Sequence, residues 1–254
     1  MSVAIRQPGR TDVVHVKPGD GPARVVIVCE HASNRIPDGF DDLGLPEEAL
    51  TSHIAWDPGT FEVADAVSDQ LRAPMVWGGV SRLLYDCNRP PNAESAIPAH
   101  SEETVVPGNT RLTEGQRATR IDQFYRPFEA LLAQTLANRP GPSVIVTIHS
   151  FTPVFHGEDR SVEIGVLHDE DSRLADALLK VADGFQIERN APYGPEDGVT
   201  HTLRQHALPR RILNVMFEIR NDLIANPQQC ETMAQTLADW LTQAIAICAE
   251  EGRA

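Results

Sequence analysis

The chain has 254 residues, of which 41% are hydrophobic and 23% are charged, and this composition excludes a disordered protein. Acidic residues outnumber basic residues by 36 to 22, and the net charge of −14 argues against nucleic acid as a partner because it repels phosphate backbones. No linker-like segment divides the chain, so we expect a single domain over residues 1–254.

Membrane and targeting segments are not predicted. No apolar run approaches the ~20 residues needed to span a bilayer, and residues 1–10 lack the apolar core of a secretory signal. The four cysteines form no C-x-x-C pair, so a zinc site built on cysteine is not predicted either. We therefore expect a cytoplasmic protein with reduced and mostly buried thiols that does not bind membranes.

Strands and helices are predicted to alternate along the chain. In chain order, the predicted elements are a strand at 24–29, a helix at 57–71, weaker strands at 74–77 and 83–85, a helix at 113–138, strands at 143–148 and 162–167, a helix at 172–182, a strand at 212–217 and a helix at 227–250. The strand runs are almost continuously aliphatic, which is typical of strands covered on both faces. This pattern predicts an α/β fold with three α/β/α layers.

Local signals indicate where two of these helices begin. Asp57 and Pro58 fit the N-cap and the first turn of the 57–71 helix. Thr113 and Gln116 fit a capping box, and Pro127 should kink or split the 113–138 helix. The stretches 90–111 and 190–199 are long loops, and long loops in compact domains are often functional.

Three predicted strands end in polar side chains that a buried strand does not need. His31 follows the first strand, His149 follows the 143–148 strand, and Glu218 follows the 212–217 strand. Because ligands bind at the carboxyl ends of strands in open α/β sheets, we expect these three side chains to converge in one crevice.

The two histidines predict a zinc site. They lie far apart in sequence, so they meet only through the fold, and catalytic zinc takes three protein ligands and leaves one position open. Asp57 is the preferred third ligand because it offers an anionic oxygen, with Asn34 or Glu30 as alternatives. A role for Asp57 as a helix N-cap stays open at this stage.

Glu218 is the candidate general base of such a site. A carboxylate near a metal-activated water removes its proton in metal-dependent hydrolases. The alternative is a structural ion pair between Glu218 and Arg220 or Arg24.

Segment 81–92 (SRLLYDCNRPPN) predicts a site for an anionic small molecule. It places Arg82, Asn88 and Arg89 close together, and the guanidinium group binds carboxylates through two hydrogen bonds. Solvated loop arginines are the alternative.

Six segments together resemble the N-formylglutamate amidohydrolase family: CEHASNRIP (29–37), HIAWDPG (53–59), SRLLYDCNRPPN (81–92), TIHSFTP (147–153), NAPYGPEDGVTHTL (190–203) and FEIRNDL (217–223). They follow one another in the family's order over nearly the whole chain. The resemblance implies a mixed, mostly parallel central sheet between helical layers, in a phosphorylase/hydrolase-like fold akin to the zinc carboxypeptidases and acylamino-acid deacylases.

The resemblance also implies roles for individual residues. His31 and His149 resemble the family's zinc-binding histidines, and Glu218 resembles its general base. The remaining implied roles belong to substrate contacts: Arg82 polarises the scissile carbonyl, Asn88 and Arg89 hold the substrate carboxylate, and Tyr193 is a mobile lid residue. We add Arg220 to the expected substrate-binding residues. The carboxypeptidase-like signature is H-x-x-E, whereas Asn34 stands at the third position after His31, so the third ligand stays open.

The leading hypothesis is therefore a Zn²⁺-dependent amidohydrolase that cleaves N-formyl-L-glutamate or a related small anionic N-acyl amino acid. A second hypothesis is a non-catalytic protein that binds a small anion on the same fold. A third is a cysteine amidase in which Cys29 or Cys87 is the nucleophile. No G-x-S-x-G, G-x-x-x-x-G-K-[ST] or G-x-G-x-x-G motif occurs, which argues against serine-hydrolase and nucleotide chemistry.

Overall fold

A seven-stranded sheet forms the centre of the fold in the computed structural model, which describes residues 13–21, 24–139 and 143–252. Residues 1–10, where no signal segment is predicted, lie outside the described residues. The strands are β1 (Val14–Lys17), β2 (Val25–Cys29), β3 (Met75–Gly78), β4 (Val144–Phe151), β5 (Ile164–Leu167), β6 (Ile187–Arg189) and β7 (Asn214–Arg220).

The sheet is mixed and mostly parallel. Its strand order is β1-β3-β2-β4-β7-β5-β6. Strands β3, β2, β4 and β7 run parallel to one another, whereas β1 is antiparallel to β3 and β5 is antiparallel to β7. The carboxyl ends of the four central strands therefore lie at one edge of the sheet.

Helices cover both faces of this sheet. They are α1 (Glu47–Thr51), α2 (Thr60–Leu71), α3 (Glu114–Arg120), α4 (Arg126–Ala137), α5 (Arg173–Val181) and α6 (Pro227–Glu251), with π-helical segments at Ile121–Tyr125 and Leu203–Ala207. Buried side chains of α2, α5 and α6 form the core on one face, and those of α4 and the loops form the core on the other. The predicted three-layer α/β/α sandwich with a mixed, mostly parallel sheet is confirmed. Within the described ranges, no helix has the length and apolar character needed to cross a bilayer.

Short elements complete the chain. Two small hairpins lie outside the central sheet, the first formed by His100–Ser101 and Thr104–Val105 and the second by Val154–Phe155 and Glu158–Asp159. Short 3₁₀ turns occur at Asp41–Gly44, Glu94–Ala96, Pro107–Asn109, Pro195–Asp197, Leu208–Arg210 and Asn221–Ile224.

The predicted strand at 83–85 is wrong. These residues are buried, but they form a turn. The backbone N–H of Leu83 donates to Oγ of Ser81 at 3.2 Å, and the N–H of Leu84 donates to the Ser81 carbonyl at 3.0 Å. Local hydrogen bonds from a serine compete with strand pairing in this way.

The helix predicted from Asp57 begins at Thr60 instead. Gly59 precedes it with φ +82°, a conformation that favours glycine, and an added Cβ at this position would lie 2.5 Å from the Ile224 carbonyl oxygen. The side chain of Asp57 is therefore not an N-cap and is available for another role.

The predicted 113–138 helix runs from Glu114 to Ala137 and contains a π-helical segment at Ile121–Tyr125. Thr113 and Gln116 form the predicted capping box at its start. The backbone stays helical at Arg120 and Tyr125, so the helix is not split, and Pro127 lies in the first turn after the π-helical segment.

Replacement of His206 by phenylalanine is expected to make the protein less sensitive to acid. Burial lowers the pKa of His206 to about 4 in the folded chain, and its Nδ1 has no hydrogen-bond partner among the described residues. Between pH 6.5 and 4 the unfolded state binds a proton at this histidine and the folded state does not. As the pH is lowered through this range, the histidine therefore reduces the free energy of unfolding by up to about 1.4 kcal/mol per pH unit. Denaturant titrations across this range measure the effect, and parallel curves for the two proteins would contradict it.

Candidate functional site

The candidate site lies where β2, β4 and β7 end. His149 in β4 and Glu218 in β7 are paired in register on adjacent parallel strands. Glu30 and His31 directly follow the last residue of β2. The carboxyl edge of the sheet thus brings together the three strand-end residues that the sequence singles out.

Asp57 enters the same site from the segment between α1 and α2. Its backbone N–H donates to the His31 carbonyl at 3.0 Å. On the other side, Oγ of Ser81 and the N–H of Arg82 both donate to the carbonyl of Ala55, at 2.7 and 3.2 Å. These bonds hold the side chain of Asp57 between the two histidines.

His31, Asp57 and His149 form a compact buried triangle of ligand atoms, which we call the metal cluster. Nδ1 of His31 lies 3.1 Å from Oδ2 of Asp57 and 3.2 Å from Nδ1 of His149. Nδ1 of His149 lies 3.0 Å from the same Asp57 oxygen. Tetrahedral zinc with bonds of 2.0–2.1 Å separates its ligands by about 3.3 Å, so the triangle has the dimensions of one face of such a site.

A carboxylate stands behind each histidine of the metal cluster. Nε2 of His31 lies 2.7 Å from Oδ1 of Asp86, within hydrogen-bond geometry, and Nε2 of His149 lies 3.0 Å from Oε2 of Glu30, an ion-pair distance without hydrogen-bond geometry. Metal binding requires neutral imidazoles with the N–H on Nε2, the nitrogen that faces a carboxylate in each case, so that both Nδ1 atoms offer a lone pair to the triangle. Two imidazole nitrogens and a carboxylate oxygen that converge in this way fit a cation.

The electrostatics of the metal cluster also favour positive charge. Burial by itself lowers the pKa of His149, but Glu30 and Asp57 outweigh burial and raise that pKa well above its ordinary value. Burial would likewise raise the pKa of Asp57, yet His31, His149 and Arg82 hold it far below its usual range. Asp57 is therefore ionised at neutral pH, as a metal ligand must be.

Glu218 is a buried carboxylate without a counter-charge in direct contact. Its side chain is 5% exposed, and Oε2 has no hydrogen-bond partner among the residues that the structure describes. Burial raises the pKa of Glu218 to about 7. No ion pair joins it to Arg24 or Arg220 in the described part of the chain, so the structural alternative for Glu218 is not realised. A carboxyl group with such a pKa can accept and return a proton near neutrality.

Arg82 lies beside the metal cluster. Its guanidinium donates through Nη1 to Oδ1 of Asp57 at 3.3 Å and through Nη2 to Oδ2 of Asp86 at 3.0 Å. These bonds fix the orientation of Arg82, which lines the same cavity as His31 and Glu218.

Asn88 and Arg89 have different surroundings. The Asn88 side chain donates to the Val199 carbonyl and accepts from the Thr202 N–H at 3.0 Å, so it fastens the 199–202 segment. Nη1 of Arg89 donates to the Asn88 carbonyl at 2.9 Å, and no carboxylate of the described residues pairs with this guanidinium. Arg89 is thus the better placed of the two to bind a ligand anion.

A cavity of about 410 Å³ opens over the metal cluster. The predicted site residues His31, Asp57, Arg82, Asn88, Arg89, His149, Tyr193 and Glu218 all line it. Its volume falls in the range of small-molecule sites, which is about 300–1,000 Å³.

Two predicted residues do not reach this cavity. Arg220 pairs with Asp222 at 2.8 Å and Glu163 at 3.4 Å, so the structure does not support its assignment to substrate binding. Nδ2 of Asn34 donates to the Leu50 carbonyl at 2.9 Å, and Asn34 is absent from the described cavity wall, so this alternative metal ligand is also not supported.

The cysteines do not form a nucleophilic site. Cys29 and Cys87 are buried and lie outside the described cavity wall. Burial raises the pKa of both thiols well above the ordinary value, which disfavours the thiolate.

Sequence reasoning missed the positions of two carboxylates. In the sequence, Asp86 is part of segment 81–92 without a role of its own, and Glu30 is an alternative metal ligand. Both instead support a histidine of the metal cluster from behind. The usable signal is that metal-binding histidines almost always donate their second N–H to a carboxylate or carbonyl.

Comparison with known proteins identifies the class. A sequence model of the N-formylglutamate amidohydrolase family matches residues 23–225. The chain therefore belongs to the N-formylglutamate amidohydrolase family, a family of amidohydrolases, and the resemblance noted in the sequence is confirmed.

Two solved structures are similar to this chain. The gene product Atu2144 from Agrobacterium tumefaciens is 48% identical, with a TM-score of 0.91 over 93% of this chain and 96% of that one. N-formylglutamate amidohydrolase from Ralstonia eutropha JMP134 is 16% identical, with a TM-score of 0.59 over 95% of this chain and 98% of that one. The second comparison shows a shared fold. No curated protein matches the chain.

Proposed function

We propose that this protein is a zinc-dependent amidohydrolase that cleaves N-formyl-L-glutamate or a related N-acyl amino acid to the free amino acid and a carboxylic acid. One observation carries the proposal: three buried ligand atoms converge within 3.0–3.2 Å of one another beside the unpartnered carboxylate oxygen of Glu218. Membership of the N-formylglutamate amidohydrolase family supports the reaction type.

The metal cluster would hold the zinc ion through Nδ1 of His31, Nδ1 of His149 and Oδ2 of Asp57. Two nitrogens and one carboxylate oxygen make a donor set typical of catalytic zinc. A bound zinc ion supplies Lewis-acid activation of water and of the amide carbonyl.

Glu218 moves the proton in this proposal. Its Oε2 takes a proton from the attacking water and then delivers it to the amide nitrogen, so that the amine leaves in neutral form. Burial keeps the carboxylate basic enough for the first transfer and the carboxyl acidic enough for the second, because its pKa is about 7. The guanidinium of Arg82 stabilises the negative charge that develops on the carbonyl oxygen.

Substrate orientation depends on Arg89 and Asn88. The guanidinium of Arg89 binds the free carboxylate of the substrate, which fixes the amide relative to Glu218. Asn88 acts through the segment that it fastens, since its amide bonds to Val199 and Thr202. Tyr193 closes one wall of the cavity.

Metal content and product release test this function together. We expect about one zinc ion per purified chain by elemental analysis, and release of free amino acid from at least one member of a panel of N-formyl and N-acetyl amino acids. Iodoacetamide should leave the rate unchanged because none of the four cysteines belongs to the described cavity wall. A metal-free protein that hydrolyses the panel at full rate would refute the proposal.

A further inference from the structure

Of the two arginines in the described cavity wall, Arg89 is the one without a carboxylate partner. Arg82 is bound to Asp57 and Asp86, whereas Arg89 has no carboxylate partner in the described ranges. His53 also lines the cavity, but its Nε2 lies 2.8 Å from Oε1 of Glu102. The described wall therefore has a place for one ligand carboxylate.

Acidic side chains occupy other parts of this wall. Glu102 lies at the tip of the first small hairpin, and Asp197 accepts a hydrogen bond from the N–H of Gly194 at 2.9 Å. A second ligand carboxylate would meet these like charges, in a chain whose net charge is already −14. Burying a carboxylate that finds no partner is costly.

Apolar and aromatic side chains form a further part of the wall, beside the hydroxyl groups of Ser101, Ser150 and Thr152. Phe151, Phe155 and Tyr193 form what we call the ring wall, together with the aliphatic side chains of Ile54 and Val199. Phe151 directly extends β4 beyond His149, so the ring wall begins next to the metal cluster.

Arg160 fixes the ring wall from outside the cavity. Its guanidinium carbon lies 4.3 Å from the ring centre of Phe155, 5.0 Å from that of Tyr193 and 5.4 Å from that of Phe151. Such cation–π contacts hold the rings in place. Arg160 itself does not belong to the described cavity wall, and its buried Nη1 has no hydrogen-bond partner among the described residues, so the rings line the cavity and the guanidinium lies behind them.

We propose that the substrate of this chain carries a single carboxylate, which Arg89 binds, and an aromatic or branched aliphatic group that packs against the ring wall. This inference rests on the proposed function and narrows its substrate class from N-formylglutamate to N-acyl derivatives with an apolar group. The apolar group of the substrate is either the side chain of its amino acid or its acyl group. In both cases an apolar surface packs against the rings.

Steady-state kinetics with the zinc-loaded enzyme test the substrate class. The side-chain series is N-formylglycine, N-formylleucine, N-formylphenylalanine and N-formylglutamate, and the acyl series is N-formylglycine, N-acetylglycine and N-benzoylglycine. We expect kcat/KM to rise by about tenfold or more from the smallest member to an apolar member in one of the two series. N-formylglutamate should stay below N-formylleucine and N-formylphenylalanine. The highest kcat/KM on N-formylglutamate, or a flat response in both series, would overturn the inference.

Substitutions in the second small hairpin supply a matched control. Phe155→Ala should lower the ratio of kcat/KM between the preferred apolar substrate and N-formylglycine by about tenfold. Phe155→Leu keeps an apolar side chain and should restore most of that ratio. Val154→Ala alters the neighbouring side chain, which is 48% exposed and outside the described cavity wall, and should leave the ratio unchanged. An unchanged ratio in Phe155→Ala would count against the ring wall as the binding surface.

The two proposals fail in different ways. Absence of zinc and of hydrolysis across both series would refute the proposed function itself. Zinc-dependent hydrolysis that favours N-formylglutamate would leave the proposed function intact and overturn only the inference on the ring wall.

Discussion

Glu218→Gln is expected to lower kcat by about 10³-fold or more while the protein keeps its zinc and still binds substrate. Glutamine has nearly the same shape as glutamate but cannot accept the proton of the attacking water or deliver one to the leaving nitrogen, and general acid–base catalysis contributes about 10²–10⁴-fold. Stopped assays for released amino acid measure the rate, and elemental analysis measures the zinc. Glu170→Gln changes an exposed glutamate outside the described cavity wall and is the matched control.

The pH profile supplies a second readout for Glu218. Because only the ionised carboxylate accepts a proton, kcat/KM of the native enzyme should fall tenfold per pH unit below the pKa of Glu218. Burial sets that pKa at about 7, and a zinc ion nearby moves it lower, so the acid limb lies at or below neutrality. The glutamine variant should lack this limb. Full activity in Glu218→Gln would exclude Glu218 as the base, and a native protein that binds N-acyl amino acids without turnover would favour the binding-protein hypothesis.

Asp57→Asn is expected to abolish high-affinity zinc binding and, with it, nearly all hydrolysis. The substitution keeps the side-chain volume but removes the anionic oxygen that lies 3.0–3.1 Å from both histidine nitrogens. We expect zinc affinity to fall by well over 100-fold, more than the 10–100-fold typical of groups that only support a ligand. Competition with a chromogenic chelator measures the affinity, and thermal melting of the metal-free forms checks that both proteins fold.

Two further substitutions separate the alternative third ligands. Glu30→Gln should weaken zinc binding by about 10–100-fold because Glu30 supports His149 without belonging to the metal cluster. Asn34→Ala should leave zinc affinity unchanged, since the Asn34 amide bonds to the Leu50 carbonyl. Loss of zinc in Asn34→Ala with retention in Asp57→Asn would reverse the assignment.

The sheet and its site-bearing edge are predictable from the sequence for a simple reason. Buried strands are short aliphatic runs, and polar residues directly after them fall at the carboxyl edge, where parallel strands end together. His149 and Glu218 were expected just after their strands. The structure instead continues β4 to Phe151 and β7 to Arg220, so that the two residues are neighbours within the sheet.

Other features depend on contacts that a local pattern does not reveal. Residues 83–85 have the composition of a strand, yet hydrogen bonds to Ser81 turn the chain there. The start of α2 is set by the close approach of Gly59 to Ile224, which frees Asp57 for the metal cluster. The contact between Gly59 and Ile224 joins segments that are distant in sequence, whereas the bonds to Ser81 are local and override the strand-like composition.

The role of Asn88 shows the same limit. Its motif suggests substrate binding, but its amide is bonded to the backbone of the 199–202 segment. The prediction that Arg220 binds substrate relied on its position two residues after Glu218. That position does not determine the direction of the side chain, which pairs with Asp222.

The two small hairpins form a part of the cavity wall that can be altered separately from the central sheet. They contribute Ser101, Glu102 and Phe155 to the cavity, yet neither hairpin pairs with the seven-stranded sheet that carries His149 and Glu218. Part of the ligand-binding wall therefore lies outside the sheet, whereas Phe151 of the ring wall belongs to the strand that carries His149. Exchanging one hairpin for another of different length or charge would alter that outer part of the wall while His149 and Glu218 stay in the sheet.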